Sequence, residues 1–380
     1  MILTAYSIIM LLFWTGMSVY LVLNTRKICF LNDITPLLAE KCPSVAIVIA
    51  VKDEEAEVES ALQSVCQLDY PHYRIIVIND RSTDGTAAIL ERMARQNDRL
   101  QLLTVEQLPT GWLGKNHALY QGYLAASEEW LLFTDADVKF APATLRKAMQ
   151  YVTEKRLDHL TALAEITSPS TLFKSVMNTF ALMLDIKLKP WEISDPSSKA
   201  SMGVGAFNLV KREVYEKAGT HRAISLRPDD DLKLGERIKG AGFAQDIVYG
   251  EKELSLDWYN NLSQFVNGLM KNMYSVSNYQ LPIAMGTAIT TFLLLVLPVP
   301  LLLVSGYPYA LMSAVILLAQ VLLMLLKRGI QAQWWHALMI PFAGLVMVYI
   351  IIKSTYITIK QGGIYWRDSF YSLAELRKQV

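Results

Sequence analysis

Two hydrophobic rhythms alternate through the first half of the chain. "SVAIVIAV" (44–51) is a continuous, β-branched apolar run, the pattern of a strand buried on both faces. In the following "DEEAEVESALQSVCQL", Val58, Ala61, Leu62, Val65 and Leu68 fall on one helical face. "YRIIVIND" (73–80) predicts a second strand, and "STDGTAAILERMARQ" a helix opening on capping residues. "QLLTV" (101–105), a Pro/Gly loop, the helix "NHALYQGYLAAS" and the strand "WLLFT" (130–134) continue the series. This alternation predicts an α/β domain whose sheet is mostly parallel and covered on both faces.

The rhythm gives way to long uncharged stretches at both ends. No Asp, Glu, Lys or Arg occurs from Ile2 to Val22, or between Lys271 and Lys327. A third apolar run extends from about Trp334 to Ile352. A hydrocarbon core of ~30 Å takes about 20 apolar residues to cross, so each stretch is a candidate span. The first lacks the basic start of a signal peptide and its apolar run is long, which predicts an anchor over residues 1–24. Arg26 and Lys27 follow it and no Lys or Arg precedes it. The positive-inside rule therefore expects the next domain, residues 25–257, in the cytoplasm, at the inner membrane.

Residues 258–280 mix aromatic and polar side chains, as in an interfacial helix leading into the membrane or lining an acceptor entrance. A membrane block over 281–353 and a tail over 354–380 follow. Three spans in that block would put the tail outside, although it carries Arg367, Arg377 and Lys378. One apolar stretch is thus expected to be re-entrant or interfacial, and Pro298 and Pro300 direct that expectation to the first. Trp334 and Trp335 suit a membrane-interface belt.

Composition agrees with this division. At 52% hydrophobic and 19% charged residues, the chain is too apolar to be wholly soluble. A net charge of +1 offers no basic field for a nucleic acid. Cys29, Cys42 and Cys66 are odd in number and lack metal-ligand spacing, which predicts free thiols in a reducing compartment. His72, His117, His159, His221 and His336 show no ligand pairing and read as structural.

Parallel sheets bind ligands beyond the carboxyl ends of their strands. Asp53, Asp80, and the pair Asp135 and Asp137 all fall there. Asp53 and Asp84 also suit plain turn or capping roles. Four carboxylates at one edge would repel one another unless a cation or donor-rich ligand sat among them. Asp-x-Asp at a strand end suits Mg²⁺ or Mn²⁺ with open positions for phosphate oxygens, although the pair alone is a weak signal. "LPTGWLGKNHAL" (108–119) adds glycines at 111 and 114, Lys115, and a helix start near Asn116. Such a start attracts anionic groups, and an ordinary loop with a solvated lysine would read the same way. "RPDDDLKLGERIKGAGF" (227–243) places Asp229, Asp230 and Asp231 before a helix. The macrodipole accounts for one or two of these acids; one is a candidate general base.

Together these stretches resemble the family-2 glycosyltransferases. "AIVIAVKDEEAEVESALQSVCQLDYPHYRIIVINDRSTDGT" is similar to that family's opening, with Asp53 where Asn is usual, Ala50 where Pro is usual, and Arg81 between Asp80 and Ser82. The resemblance covers about residues 43–245 and implies a Rossmann-like, GT-A type nucleotide-sugar-binding domain. It implies that Asp53, Asp80, Lys115, Asn116 and Asp135 bind the nucleotide sugar. Asp137 with Asp135 would hold Mg²⁺ or Mn²⁺, and Asp231, with Asp230 in the place of the family's glutamate, would be catalytic. "SMGVGAFNLVKREVYEKAG" (201–219) resembles the Gly-rich acceptor-side segment. "GWLGKNHAL" and the flanking apolar blocks resemble the branch that glycosylates lipids, including hopanoid-associated and carotenoid (diaponeurosporenoate) enzymes and, more distantly, ceramide glucosyltransferases. The Gln-x-x-Arg-Trp motif of processive synthases is absent, with "NGLMKNMY" (267–274) in its place. The resemblance thus implies a metal-dependent, inverting transfer of one sugar from a UDP- or GDP-sugar to a lipid acceptor. A polysaccharide synthase, a nucleotidyltransferase on a similar sheet and a non-catalytic membrane scaffold are the alternatives.

Overall fold

The computed structural model of the chain describes residues 1–168, 170–259, 261–270, 273–366 and 369–377. Eight strands form the main sheet, in the spatial order Cys29–Phe30, Gln245–Tyr249, His159–Leu163, Asn208–Lys211, Trp130–Thr134, Val45–Val51, Tyr73–Asp80, Leu100–Val105. Neighbours run parallel except around Asn208–Lys211, which is antiparallel to both of its partners. The mostly parallel sheet expected from the alternation is present.

The unbroken apolar runs have a direct cause. Val45, Ile47 and Ile49 pack with Val58, Leu62 and Val65 on one side of the sheet. Ala46 and Val48 pack with Ala118 and Leu119 on the other. Both faces are covered, so no position in the strand is left for a polar residue. Helix Gly114–Ala125 lies close on this sheet, since a Cβ at Gly122 would stand 2.3 Å from Val48 Cγ1. That close approach sets the height of the helix start, where Lys115 sits.

Register aligns the acidic strand ends. Val51 pairs Asn79, and Ile49 pairs Thr134, so residues 51–53, 79–81 and 135–137 emerge at one edge. Just beyond it, Lys139–Phe140, Leu254–Leu256 and Glu165–Ile166 form a small three-stranded sheet, with Leu254–Leu256 in the middle.

Among the described residues, three helical stretches are long and apolar enough to cross a membrane: Ile2–Thr25, Tyr309–Leu326 and Trp334–Gln361. Leu281–Val296 and Pro298–Val304 form a further pair bent by 50°, at the proline stretch singled out in the sequence. The Ile2–Thr25 and Tyr309–Leu326 helices pack together, with Thr4 Oγ1 3.0 Å from Tyr309 Oη. Trp14 Nε1 donates to the Leu294 carbonyl at 3.0 Å.

Residues 258–280 are not one helix. Leu262–Leu269 is helical, begun by Asn261 accepting from Gln264 N, and Ser275–Ser277 forms a separate turn. Lys271 and Asn272 lie outside the described residues, as do Arg367 and Lys378 of the tail. The tail is not free-standing either. Helix Ile340–Gln361 runs through the expected boundary at 353, and strands Gly363–Trp366 and Ser369–Ser372 then fold back as a hairpin. Tyr371 Oη donates to the Trp112 carbonyl at 2.9 Å.

Candidate active site

Asp80 ends its strand buried, 3% exposed, and is gripped by its neighbour: Arg81 Nε and Nη2 donate to its two oxygens at 2.8 and 3.0 Å. Arg81 takes a left-handed backbone, φ 57°, to turn back in this way. The sequence treats Arg81 as a mere departure from the family pattern; in the fold it is the cation that pairs with Asp80 and fixes its position. A Cβ at Gly114 would lie 2.2 Å from Asp80 Oδ2, so the helix start must pass this carboxylate without a side chain.

Asp135, Asp230 and Asp231 converge on Lys115. Lys115 Nζ is 2.8 Å from Asp135 Oδ1 and 3.6 Å from Asp230 Oδ1. The Gly-rich segment links the two acidic groups. Asp135 N–H donates to the Gly205 carbonyl at 3.0 Å, and Gly205 N–H donates to Asp231 Oδ2 at 2.8 Å. A Cβ at Gly205 would stand 2.5 Å from Asp135 Oδ2, and one at Gly203 would stand 2.0 Å from the Asp231 carbonyl. These close approaches are the physical reason for glycines between two carboxylates.

Charge follows from this crowding. Burial first, then Asp135, raises the Asp137 carboxyl to about 7. Burial likewise raises Asp230 to about 7, against the pull of Lys115. Asp231 is also raised by burial, while Lys115 and the N–H groups of Leu232 and Gly205 oppose it. Burial works to lower Lys115, but Asp135, Asp230 and Asp231 outweigh it and hold the ammonium well above the ordinary lysine range. The cluster is therefore short of positive charge, at Asp137 and Asp230 in particular.

That shortage fits a divalent cation. Among the described residues no three His, Cys, Asp or Glu side chains form a closed cation site. A cation that bridges a diphosphate needs only one or two carboxylates, with phosphate oxygens supplying the rest. Asp135 and Asp137 meet that requirement.

Three sequence expectations change. The Asn116 side chain does not face the ligand edge: it is buried, and its amide donates to the carbonyls of Ile224, at 2.8 Å, and Arg227, at 2.9 Å. It ties the lysine helix to the loop before the acids. Asp53 is exposed and serves as a staple, its Oδ1 accepting from Thr83 N at 2.7 Å and Thr83 Oγ1 at 3.2 Å. The capping reading of Asp53 and Asp84 is the one the contacts support; Asp84 accepts from Thr86 N at 3.0 Å and Glu55 N at 3.2 Å. Asp229 is consumed by structure, since buried Arg227 clasps it at 2.9 and 2.8 Å and Ser275 donates to it at 2.9 Å. Asp229→Asn should therefore cost stability rather than chemistry. Leaving Arg227 buried without its partner costs about 3–5 kcal/mol, read as a lowered unfolding midpoint in detergent.

His221 is the residue that sequence reasoning passed over. Its Nε2 lies 3.9 Å from Asp230 Oδ2, and its Nδ1 is 2.6 Å from Tyr215 Oη. Burial and then Lys115 hold the ring neutral, with its pKa down to about 3. Tyr215 Oη also accepts from the backbone N–H of His221 at 3.0 Å, so it holds both the ring and its backbone in place. Residues 115, 215, 221 and 230 have no local spacing that signals this group.

Residues 46–219 match the family model described as Glycosyl transferase family 2. The chain is 27% identical over 241 residues to 4,4'-diaponeurosporenoate glycosyltransferase of Staphylococcus aureus (strain bovine RF122 / ET3-1), covering 59% of this chain and 62% of that protein. It is 26% identical over 211 residues to the protein of the same name from strain USA300, covering 54% of each. The chain thus matches only about half to three-fifths of the length of these relatives. Among solved structures, it is similar in fold to a mannosyltransferase of Pyrobaculum calidifontis in complex with GDP-Man and Mn²⁺. The TM-score is 0.55 at 16% identity, over 93% of this chain and 97% of that one. This likeness concerns the fold and agrees with a GT-A-like sheet. Strand order, acidic edge and family match agree: residues 46–219 of this chain form a family-2 glycosyltransferase domain, similar to that of the carotenoid glycosyltransferases.

Proposed function

We propose that the chain is a membrane-bound, inverting glycosyltransferase. It would move one sugar from a UDP- or GDP-sugar to a hydroxyl or carboxyl of a lipid acceptor at the cytoplasmic face of the inner membrane. The observation that carries this reading is the Gly205 bridge, which holds Asp231 beside the Asp135–Asp137 edge. One carboxylate is thereby positioned for an acceptor and the others for a donor. The carotenoid relatives and the apolar helices support a lipid acceptor; the GDP-Man complex of the structural neighbour supports a nucleotide-sugar donor.

Asp80 holds the nucleoside, and Lys115 with Asp135 faces the diphosphate. A divalent cation held by Asp137 and Asp135 would neutralise charge on the leaving diphosphate. Asp231 takes the proton of the attacking acceptor, kept in one orientation by the N–H groups of Gly205 and Leu232, each at 2.8 Å. Its raised pKa brings it nearer the working pH, which suits a general base. Asn116, Asp53 and Arg81 hold the loops that carry these groups. A domain tethered near its acceptor gains from proximity what solution encounter would lose.

Incubating the purified protein with radiolabelled nucleotide sugars and a membrane lipid extract tests this reading. One discrete glycolipid on thin-layer chromatography and free nucleoside diphosphate are expected. A ladder of products would favour a polysaccharide synthase, and release of pyrophosphate a nucleotidyltransferase.

A further inference from the structure

A cavity of about 100 Å³ lies at the carboxyl edge of the sheet, apart from the acids of the candidate site. A water takes about 10–15 Å³ of such space, so a group of several heavy atoms fits. One wall is the ends of strands His159–Leu163 and Gln245–Tyr249, and helix Thr171–Leu188 supplies another. The third is Gly329–Gln331, in the turn that leaves the candidate span Tyr309–Leu326.

That turn is pinned to the domain. Lys327 pairs with Asp185 at 2.7 Å, Gln331 donates to Glu165, and the Gln331 carbonyl accepts from Asn178 Nδ2 at 3.1 Å. A Cβ at Gly329 would stand 2.0 Å from Tyr249 Cε1, so only glycine lets the turn close on that ring.

Register brings the cavity beside the site. Thr161 pairs antiparallel with Asn208, and Ala162 N–H donates to the Phe207 carbonyl at 3.2 Å. The chain therefore reaches Ala164, which lines the cavity, beside the Gly205 turn whose N–H holds Asp231. In the small sheet, Glu165 and Lys139 both pair with Ser255. Two strand spacings, about 10 Å, thus separate the cavity's Glu165 from Lys139, a near neighbour of Asp137 in sequence.

The lining is mixed in charge. Glu165 and Glu251 supply two carboxylates against the one ammonium of Lys174. Tyr249 is 3% exposed, and its hydroxyl has no hydrogen-bond partner among the described residues. A buried hydroxyl is unfavourable unpaired, so its partner comes from outside the chain.

We propose that this cavity holds the uncharged, hydroxyl-bearing head of the lipid acceptor. The inference rests on the glycosyltransferase reading given above and narrows its acceptor to that class. Carboxylates accept from hydroxyls, and Lys174 and Tyr249 donate to them. The excess of acid repels a phosphate or carboxylate head. A lipid is the occupant because one wall is the turn at the end of a candidate span.

Transfer rates of the purified full-length protein against increasing amounts of membrane lipid extract test the site. Ala181→Phe fills the cavity from helix Thr171–Leu188. It should raise the amount of extract that gives half-maximal rate by about tenfold or more, with UDP or GDP affinity by calorimetry unchanged. Lys174→Met keeps the shape and removes one charged donor, and about a tenfold rise is expected for that bond. Intact nucleotide binding shows that a variant is folded. Wild-type acceptor dependence in both variants overturns the proposal and leaves the glycosyltransferase reading standing. Anion-exchange fractions of the extract test the class. Acceptor activity should stay with the uncharged lipids; activity confined to the acidic lipids overturns the proposal. No lipid product from any fraction with the wild-type protein overturns the glycosyltransferase reading itself, and this inference with it.

Discussion

Asp231→Asn should lower kcat by about 10²–10⁴-fold, the range for loss of a positioned general base, while leaving UDP or GDP binding nearly unchanged by calorimetry. The amide oxygen can still accept from one of the two N–H groups that hold the carboxylate, Gly205 or Leu232, while the other N–H then faces the amide NH2; the unfolding midpoint of the variant separates that lost bond from the lost base. Asp230 is the control that separates two assignments. It is buried against Lys115 and His221 and carries a raised pKa, so it too can exchange a proton. If Asp230→Asn is the dead variant and Asp231→Asn stays active, the base has been assigned one residue too late. Asp80→Ala should behave differently from both: it should weaken nucleotide affinity directly, as expected for binding shared by ground and transition states.

Chelation should abolish transfer, and Mn²⁺ or Mg²⁺ should restore it. Asp137→Asn should be inactive in either condition while the protein still folds and inserts. The pH dependence has a definite sign. With no cation, burial and Asp135 keep Asp137 protonated up to about pH 7, and a cation must displace that proton. Apparent cation affinity should therefore fall as pH drops below 7, by about tenfold between pH 8 and pH 6 for one displaced proton. Stability of the cation-free protein follows the opposite course. Its folded state holds the Asp137 proton between about pH 4, where the unfolded carboxyl titrates, and about pH 7. Stability contributed by this group is thus lost as pH rises through that window, and added cation should restore it most at the alkaline end. Calorimetry and unfolding midpoints at pH 6 and pH 8 measure both effects. Full activity in excess chelator would remove the metal role.

Much of the sheet was legible because its strands are buried on both faces and their sequences have no room for polar residues. The strands at 73–80 and 130–134 match their sequence bounds, and the acids at their ends follow from register. What could not be read was how polar side chains spend their hydrogen bonds. Asn116 and Asp53 have residue types suited to a ligand, and only three-dimensional contacts show that their groups are already engaged. The same limit hid His221, whose partners are scattered from 115 to 230. Hydropathy marks the 334–361 stretch as long and apolar enough to cross a membrane, but composition does not say which side chains of the helix pack against the rest of the protein.

The bond from Tyr371 to Trp112 joins positions 259 residues apart. It has a bearing on how the protein is made. At roughly 5–20 residues per second of synthesis, the loop leading into the lysine helix is built about 13–50 s before its supporting hairpin exists. Asp80, Asp135, Asp137, Asp230 and Asp231 are likewise built before this hairpin, so the clamp on the loop beside Lys115 arrives after the acids of the candidate site. A chain released at Gly362 would carry Lys115 and the carboxylates of the candidate site with this loop unsupported by Tyr371.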